Sequence, residues 1–322
     1  MSRPSDNTSE RGAVLITTLL LMSVMAVITV TIMDDIRFSI KRAASTQTAE
    51  QLAWYSRGGE DYARNWLGTQ IDSDQKQLRK IILLQEPAIF PIEQGELQIR
   101  ARDGRNCFNL NALAHPETGD EARQKLARLL TFLELGDAEA EMIAAGVRDW
   151  VDADSVPLQG GAEDFTYSRL EPAYRAANTP LADISELREI NGIDEEIYQS
   201  IRPYVCVMRD TEQNLININT ATLEDAAVIG ALFGNADGFA AAQEVIADRP
   251  LAGYDNIEMI EDKDVVKDLE GNGAFGNLLQ LKTDRIDLQI DILLGDQVRG
   301  YIAGFEIGDT SKVKLVSRRS TY

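Results

Sequence analysis

Between Ala13 and Met33 the chain reads AVLITTLLLMSVMAVITVTIM, without one charged side chain. A helix over this stretch is roughly 30 Å long, the thickness of the hydrocarbon core of a bilayer. A cleaved secretory signal has a shorter apolar core with a small-residue exit site behind it. Here the polar leader MSRPSDNTSERG comes first, and the apolar run ends on Asp34-Asp35. On this segment alone, a plain membrane anchor remains open.

The helical period continues past that boundary. No proline occurs from Asp34 to Trp66. Ile36, Ile40, Ala43, Ala44, Leu52, Tyr55, Gly59, Tyr62 and Trp66 recur, mostly at spacings of three and four, among Arg37, Lys41, Arg42, Glu50 and Arg57. The pattern predicts a membrane helix that runs directly into an amphipathic one, a single rod of roughly 80 Å. A plain anchor usually ends in a flexible linker instead.

Charge and rare residues then remove several classes of function. The chain carries 52 acidic and 32 basic residues, a net charge of -20. Nucleic-acid binding needs a basic face, so no nucleic-acid partner is expected. His115 is the single histidine, and Cys107 and Cys206 are the two cysteines. A histidine triad, a multi-cysteine zinc site and a disulfide-dense scaffold are all excluded. With 44% apolar and 26% charged residues the body is that of a folded domain.

Strand patterns occur at Glu96–Asp103, Asp287–Leu293, Tyr301–Ile307 and Lys312–Ser317. Helical patterns fill 119–135, 138–151, 183–190, 194–204, 222–233 and 239–248. The fold class is therefore α+β: a long N-terminal helix packed on a small antiparallel sheet, with a large all-helical insert.

Arg11-Gly12 followed directly by an uncharged helix resembles the cleavage site of a prepilin peptidase. Further motifs stand in the insert: CFNLNAL (107–113), RDWVDAD (148–154), GAEDFTY (161–167), PAYRAAN (172–178), SELREINGI (185–193) and NLININTA (214–221). Together they resemble the protein K family of type II secretion minor pseudopilins, from residue 12 almost to the C-terminus. The resemblance implies a leader over 1–12, cut after Gly12 so that Ala13 becomes the first mature residue, and methylation. It implies a transmembrane segment over 13–33, a pilin-like domain from 34–109 and 281–322, and a helical insert over 110–280. Most pilins and pseudopilins carry a glutamate at mature position five, whose carboxylate neutralises a neighbour's terminal ammonium. Thr17 stands there in this chain, a departure that the K-like pattern shares and that suits the tip of a fibre.

What the resemblance implies about function is mechanical. The subunit is non-enzymatic, sits in the inner membrane as a single pass with a periplasmic C-terminal domain, and assembles with minor pseudopilins I and J. It caps and helps initiate the pseudopilus that exports folded proteins across the outer membrane. Its further implied partners are the prepilin peptidase, the inner-membrane assembly platform, secreted substrates and the secretin.

Asp152, Asp154, Glu163 and Asp164 flank the loop SVPLQGG. Four close carboxylates repel one another unless solvated or bridged by a cation, and from the residues alone both readings stand. Oxygen-only ligands on a loop favour calcium over zinc or copper, although the spacing is not that of an EF-hand. The resemblance implies a structural calcium ion here. Paired carboxylates can also serve a hydrolase, but no nucleophile motif accompanies them. Cys107 and Cys206 are either two buried thiols or, with the body in an oxidising compartment, a disulfide closing a loop worth about 4 kcal/mol.

Two asparagine motifs echo each other, Phe108-Asn-Leu-Asn-Ala112 and Ile216-Asn-Ile-Asn-Thr220. Their asparagines and Thr220 are candidate helix N-caps. SELREINGIDEEIYQSIRPYV also resembles a helix-hairpin-helix, the basis of an alternative reading as a membrane-anchored DNA-binding or type IV pilus-related protein. Its turn is followed by Asp194, Glu195 and Glu196, which repel phosphate, so the hairpin is expected to serve packing and protein contact.

Overall fold

The computed structural model describes residues 8–73, 75–212, 215–233, 237–267, 269, 277–295, 297–308 and 313–321, with side chains from 14 to 69 and from 78 onward within them. Residues 1–7 of the expected leader lie outside the described residues. Gly12 and Ala13 fall within the first helix, but their side chains are likewise outside the description.

Helix α1 spans Thr8–Ser73, 66 residues without a break. At the usual rise that is about 99 Å, longer than the expected rod because the helix starts before the apolar run and ends beyond Trp66. Every large apolar side chain from Val14 to Met33 is more than half exposed. The hydroxyls in this stretch are turned inward: Thr17 donates to Val14 O at 2.9 Å, Ser23 to Leu20 O at 2.7 Å and Thr29 to Met25 O at 2.8 Å. A lipid-facing helix satisfies its polar atoms internally in this way. Among the described residues α1 is the one helix long and apolar enough to cross a membrane.

Farther along, α1 and a short α2 (Gln75–Leu84) cover one face of a five-stranded antiparallel sheet. Its strands are β1 (Ala88–Ile92), β2 (Gly95–Asp103), β7 (Arg285–Leu294), β8 (Gln297–Ile307) and β9 (Val313–Ser320), in the order β1-β2-β7-β8-β9. Ile286, Leu288, Ile290 and Ile292 alternate along β7 and are fully buried against Leu52, Ala63 and Leu67 of α1 and Leu78 of α2. The buried face of α1 differs from the expected one. Leu52, Ser56, Gly59, Glu60, Ala63 and Leu67 point inward, whereas Tyr62 is exposed. The cause is close approach: a Cβ on Gly59 would lie 3.3 Å from the Tyr301 hydroxyl. Small residues let the sheet come near, and the rings are displaced to the shoulder, where Tyr62 meets Phe90 edge-on at 5.0 Å. Strand β1 is not among the expected strands; it carries Pro91 and lies at the sheet edge, where a missing N–H is tolerated.

The insert hangs between β2 and β7. It holds helices α3 (Gly119–Phe132), α4 (Asp137–Val151), α5 (Asp164–Tyr167), α6 (Glu195–Ile201), α7 (Ala226–Leu232) and α8 (Gly238–Ala247) around its own core. It is not wholly helical. β3 (Phe108–Asn109) pairs in parallel with β4 (Val205–Cys206), and β5 (Ile216–Asn217) pairs in parallel with β6 (Leu279–Gln280). Strands of two residues carry no period, so the sequence pattern had nothing to display. The expected helix over 183–190 is a 3-10 turn, Ile184–Glu189, started by an Asp183–Glu186 capping box.

The repeated asparagine motifs occupy equivalent places, each opening one of the parallel pairs. Asn109 caps Leu110–Ala114, accepting from Asn111 N, and Asn217 makes the equivalent bond, accepting from Asn219 N. The others are buried cross-links. Asn111 donates to Leu181 O and Met208 O and accepts from Leu181 N; Asn219 donates to Tyr254 O and Leu281 O and accepts from Tyr254 N. A buried amide side chain can imitate a peptide group in this manner, leaving loop backbone satisfied where no helix or sheet reaches it.

Where insert meets sheet, Asp103 at the end of β2 is buried and accepts from Asn217 Nδ2, Thr220 Oγ1 and Thr283 Oγ1, each at 2.8 Å, while its other oxygen accepts from Arg105 N. Beside it Arg105 grips Asp284 with two bonds of 2.9 and 3.0 Å. Burial pushes the Asp103 carboxyl up to about 6 despite these donors. A raised carboxyl pKa contributes stability that is complete below the ordinary value of 3.8 and lost as pH rises through about 6. In urea unfolding, the stability advantage of the parent over Asp103→Asn is therefore expected to shrink by about 3 kcal/mol between pH 4 and pH 8, at 1.36 kcal/mol per unit. An advantage that stays constant across this window would contradict the assignment.

Candidate metal centre

Helix α4 ends at Val151, and Asp152 leaves it in an extended conformation. The chain then makes the loop 153–162 and returns as Glu163, also extended, into α5. This hairpin course brings Asp152, Asp154 and Glu163 together, each offering a carboxylate oxygen within 4.8 Å of the others. Ligands on opposite sides of a calcium ion are about 4.6–5.2 Å apart, given bonds of 2.3–2.6 Å. The three oxygens can therefore share one hard cation.

Asp164 points elsewhere. Successive side chains of extended chain face opposite sides, so with Glu163 turned to the cluster Asp164 turns to the neighbouring segment. It accepts from Ala176 N at 3.1 Å and lies 3.9 Å from Arg175. Its place is in positioning the 172–178 segment and not in the cluster.

Burial sharpens the chemistry. Glu163 is 4% exposed and neither of its carboxylate oxygens has a hydrogen-bond partner; Asp152 Oδ1 is in the same condition. Buried polar atoms without partners are rare, and carboxylates in that state cost most. Burial, then the Asp149 and Asp152 charges, push the Glu163 carboxyl up to about 7. Asp152 is also raised, by burial first and Asp154 second. Arg148, 3.5 Å from Asp152, offsets only part of this charge. The donor set is all oxygen, negatively charged and short of donors, which fits calcium and does not fit a soft metal.

Two further residues belong to this arrangement and were not singled out in the sequence. Asp149, on the last turn of α4, accepts from Leu158 N at 3.1 and 3.2 Å and so pulls the loop back onto its helix. A Cβ at Gly161 would collide with that carboxylate, which is why glycine is needed there. Asn178, in the left-handed region at φ 46°, donates to Asp154 O and Ser155 Oγ while its own Oδ1 is buried and unpartnered. It ties the 172–178 segment to the start of the loop. Only the position of Asp149 within RDWVDAD, and the asparagine closing PAYRAAN, could have signalled them.

Behind the loop, Trp150, Tyr167 and Tyr174 stack with centroids 5.1 to 6.3 Å apart. Trp150 and Tyr167 are buried and belong to the core of the insert. Cys107 and Cys206 are joined, with Cα atoms 5.7 Å apart across β3 and β4. In the hairpin region Gly192 makes the turn at φ 91°, Asp194 caps α6, and Glu195 holds the nearby Arg188 at 2.7 Å. That guanidinium is already engaged by a carboxylate.

A bare membrane helix, an antiparallel sheet on its second half and a disulfide-closed helical insert define a membrane-anchored, single-pass subunit of pilin-like build. The family described as type II secretion system (T2SS), protein K, matches residues 106–210 and 216–282. The type II secretion system protein K of Pectobacterium carotovorum is 31% identical, covering 89% of each chain. That of Klebsiella pneumoniae is 32% identical over 78% of each. A chain of the crystal structure of the GspK-GspI-GspJ complex from the enterotoxigenic Escherichia coli type 2 secretion system superimposes with a TM-score of 0.75 at 28% identity, covering 87% of this chain and 99% of that one. The chain belongs to the type II secretion system protein K family and is a minor pseudopilin. Each of the two matched regions opens on one of the asparagine motifs.

In a chelating buffer the buried Glu163 charge is offset only in part, by Arg148 beside Asp152. Glu163→Gln is therefore expected to raise the chelated melting temperature by about 2–4 °C, the equivalent of roughly 1 kcal/mol, whereas Asp164→Asn is expected to lower it by loosening the 172–178 segment. A lowered melting temperature for Glu163→Gln under these conditions would rule out an unmet charge at this position.

Proposed function

We propose that this chain caps and helps initiate the pseudopilus as a non-enzymatic tip subunit, its head in the periplasm and its apolar helix in the inner membrane. The observation that carries this reading is α1. Its lipid-facing part has Thr17 where a charged partner for a subunit above would stand. Beyond the membrane it stays uncovered as far as Leu52, the first buried side chain, with Ile36, Phe38 and Ile40 each more than half exposed. That is roughly 27 Å of bare helix between membrane and sheet. It is the surface on which helices of minor pseudopilins I and J pack, while the bulky insert above leaves no room for a further subunit. The inner-membrane platform drives the assembled fibre, and the head faces secreted substrates and the secretin. A prepilin peptidase cuts after Gly12, and the new N-terminus is methylated.

Asp152, Asp154 and Glu163 hold a structural calcium ion that fixes the loop between α4 and α5. The unpartnered buried oxygens support this, since a divalent cation is the simplest group that satisfies all of them at once. Calcium at about a hundred times its dissociation constant stabilises the folded chain by about 2.7 kcal/mol, or about 5–10 °C in melting temperature. The shift is expected for the parent and absent in Asp152→Ala/Glu163→Ala; equal melting in calcium and in chelator contradicts the proposal.

Processing is tested by mass spectrometry of the chain expressed with and without a prepilin peptidase. Peptidase-dependent loss of residues 1–12 with the apolar helix retained is the expected result. An uncut chain, or a cut beyond Met33, removes the basis for a pseudopilin.

A further inference from the structure

Although the chain carries a net charge of -20, four arginines converge at one edge of the sheet. A cavity of about 380 Å³ lies between α1, β8 and β9, lined by Arg57, Arg299, Arg318 and Arg319. Arg318 is held in place from below. Its Nε is 2.8 Å from Glu60, which is buried, and its guanidinium lies 4.8 Å from the centre of the Tyr301 ring. The Tyr301 hydroxyl in turn donates to Ser56 O at 2.6 Å, locking ring to helix. Glu60 pairs with Arg318 alone, and Asp183 lies within electrostatic reach of Arg319. Arg57, Arg299 and Arg319 form no ion pair among the described residues.

The strand beside this cavity lies at the sheet's margin. β9 ends the sheet order and pairs only with β8 among the described residues. Basic residues on an edge strand can simply discourage pairing between copies, and lysine is the usual choice for that task. Arginines from three different elements, one of them stacked and braced by a buried acid, are a costlier arrangement and present forked donors suited to carboxylates. On the other face of β9, Arg319 also borders a second cleft of mixed charge, with Arg102 and Arg202 beside Asp103 and Asp287.

We propose that the β9 edge is a docking surface for a carboxylate-rich segment of another protein chain, lying along the strand with its acids on Arg57, Arg299 and Arg319. A lipid headgroup does not fit the position, because Arg57 is 24 residues beyond Met33 and thus roughly 36 Å from the membrane end of the helix. The chain's overall charge repels acidic partners, so the site confines them to this one edge and gives register as well as attraction.

The full chain in detergent micelles is titrated against a short fluorescein-labelled peptide of alternating glutamate and serine, read by anisotropy. The proposal expects saturable, salt-sensitive binding that weakens about tenfold or more in Arg57→Glu/Arg299→Glu, with no binding of a lysine-serine peptide. Arg318 is left intact so that the Glu60 pair persists. Where the charge-reversed variant loses its circular dichroism spectrum or melting transition, Arg57→Gln/Arg299→Gln takes its place under the same criterion. An affinity that the variant leaves unchanged, a failure of the parent to bind, or displacement of the peptide by equimolar inorganic phosphate, the mark of a small-anion pocket, each overturns the proposal.

Discussion

The Asp103 carboxylate sits where the chain leaves the sheet and where it returns. β2 and β7 are neighbours, with Asp103 opposite Ile286, so the whole insert enters and exits through two adjacent points. Gly104 N donates to Arg285 O at 2.9 Å and closes the gap. Such an entry costs the sheet nothing in pairing. It leaves the orientation of the insert to the side chains at its base, and these are almost all polar. Asn217 and Thr220 come from the insert, Thr283 from the returning chain, and all three donate to one carboxylate. Arg105 and Asp284 add a charged clasp beside it. A junction of this kind has direction as well as strength, because hydrogen bonds fix angles that apolar contact does not.

The same logic runs through the insert. Its helices are short, and much of it is loop; α5 has four residues and α6 seven. Loops bury well only when their backbone groups find partners. Asn109, Asn111 and Asn219 supply these at the start of each parallel pair, and the disulfide from Cys107 to Cys206, the residue opposite Asn109, ties the first pair together. The insert is thus two similar lobes, each begun by a two-residue strand and a buried amide.

What the sequence disclosed follows from the range over which each device acts. The α1 rod was legible because apolar period and absent proline extend over many turns, and β7 because its alternation is clean. The carboxylates of the loop between α4 and α5 were legible as a cluster, since three acids within a dozen residues of a glycine-rich turn must either meet or repel. Their partition was not. That Glu163 turns in while Asp164 turns out depends on an extended backbone at a single residue, and Asn178 joins through a left-handed turn fifteen residues on. The inward face of α1 was misjudged for a related reason: hydrophobicity favours Tyr62 and Trp66, but the distance to the sheet is set by Gly59 and Ala63. The disulfide, in contrast, needed only two cysteines and a compartment.

These pieces make one mechanical path. A push delivered along α1 reaches the sheet through Leu52, Ala63 and Leu67, and through two polar ties that resist sliding, Tyr301 to Ser56 O and Arg318 to Glu60. From β2 and β7 it passes across the Asp103 junction into the insert. Apolar surfaces alone allow neighbours to shift along one another at small cost. Directional bonds at each joint, from helix to sheet and from sheet to insert, do not. The tip role proposed above needs the head to move with its helix, and the buried polar groups lie at the joints where that coupling is made.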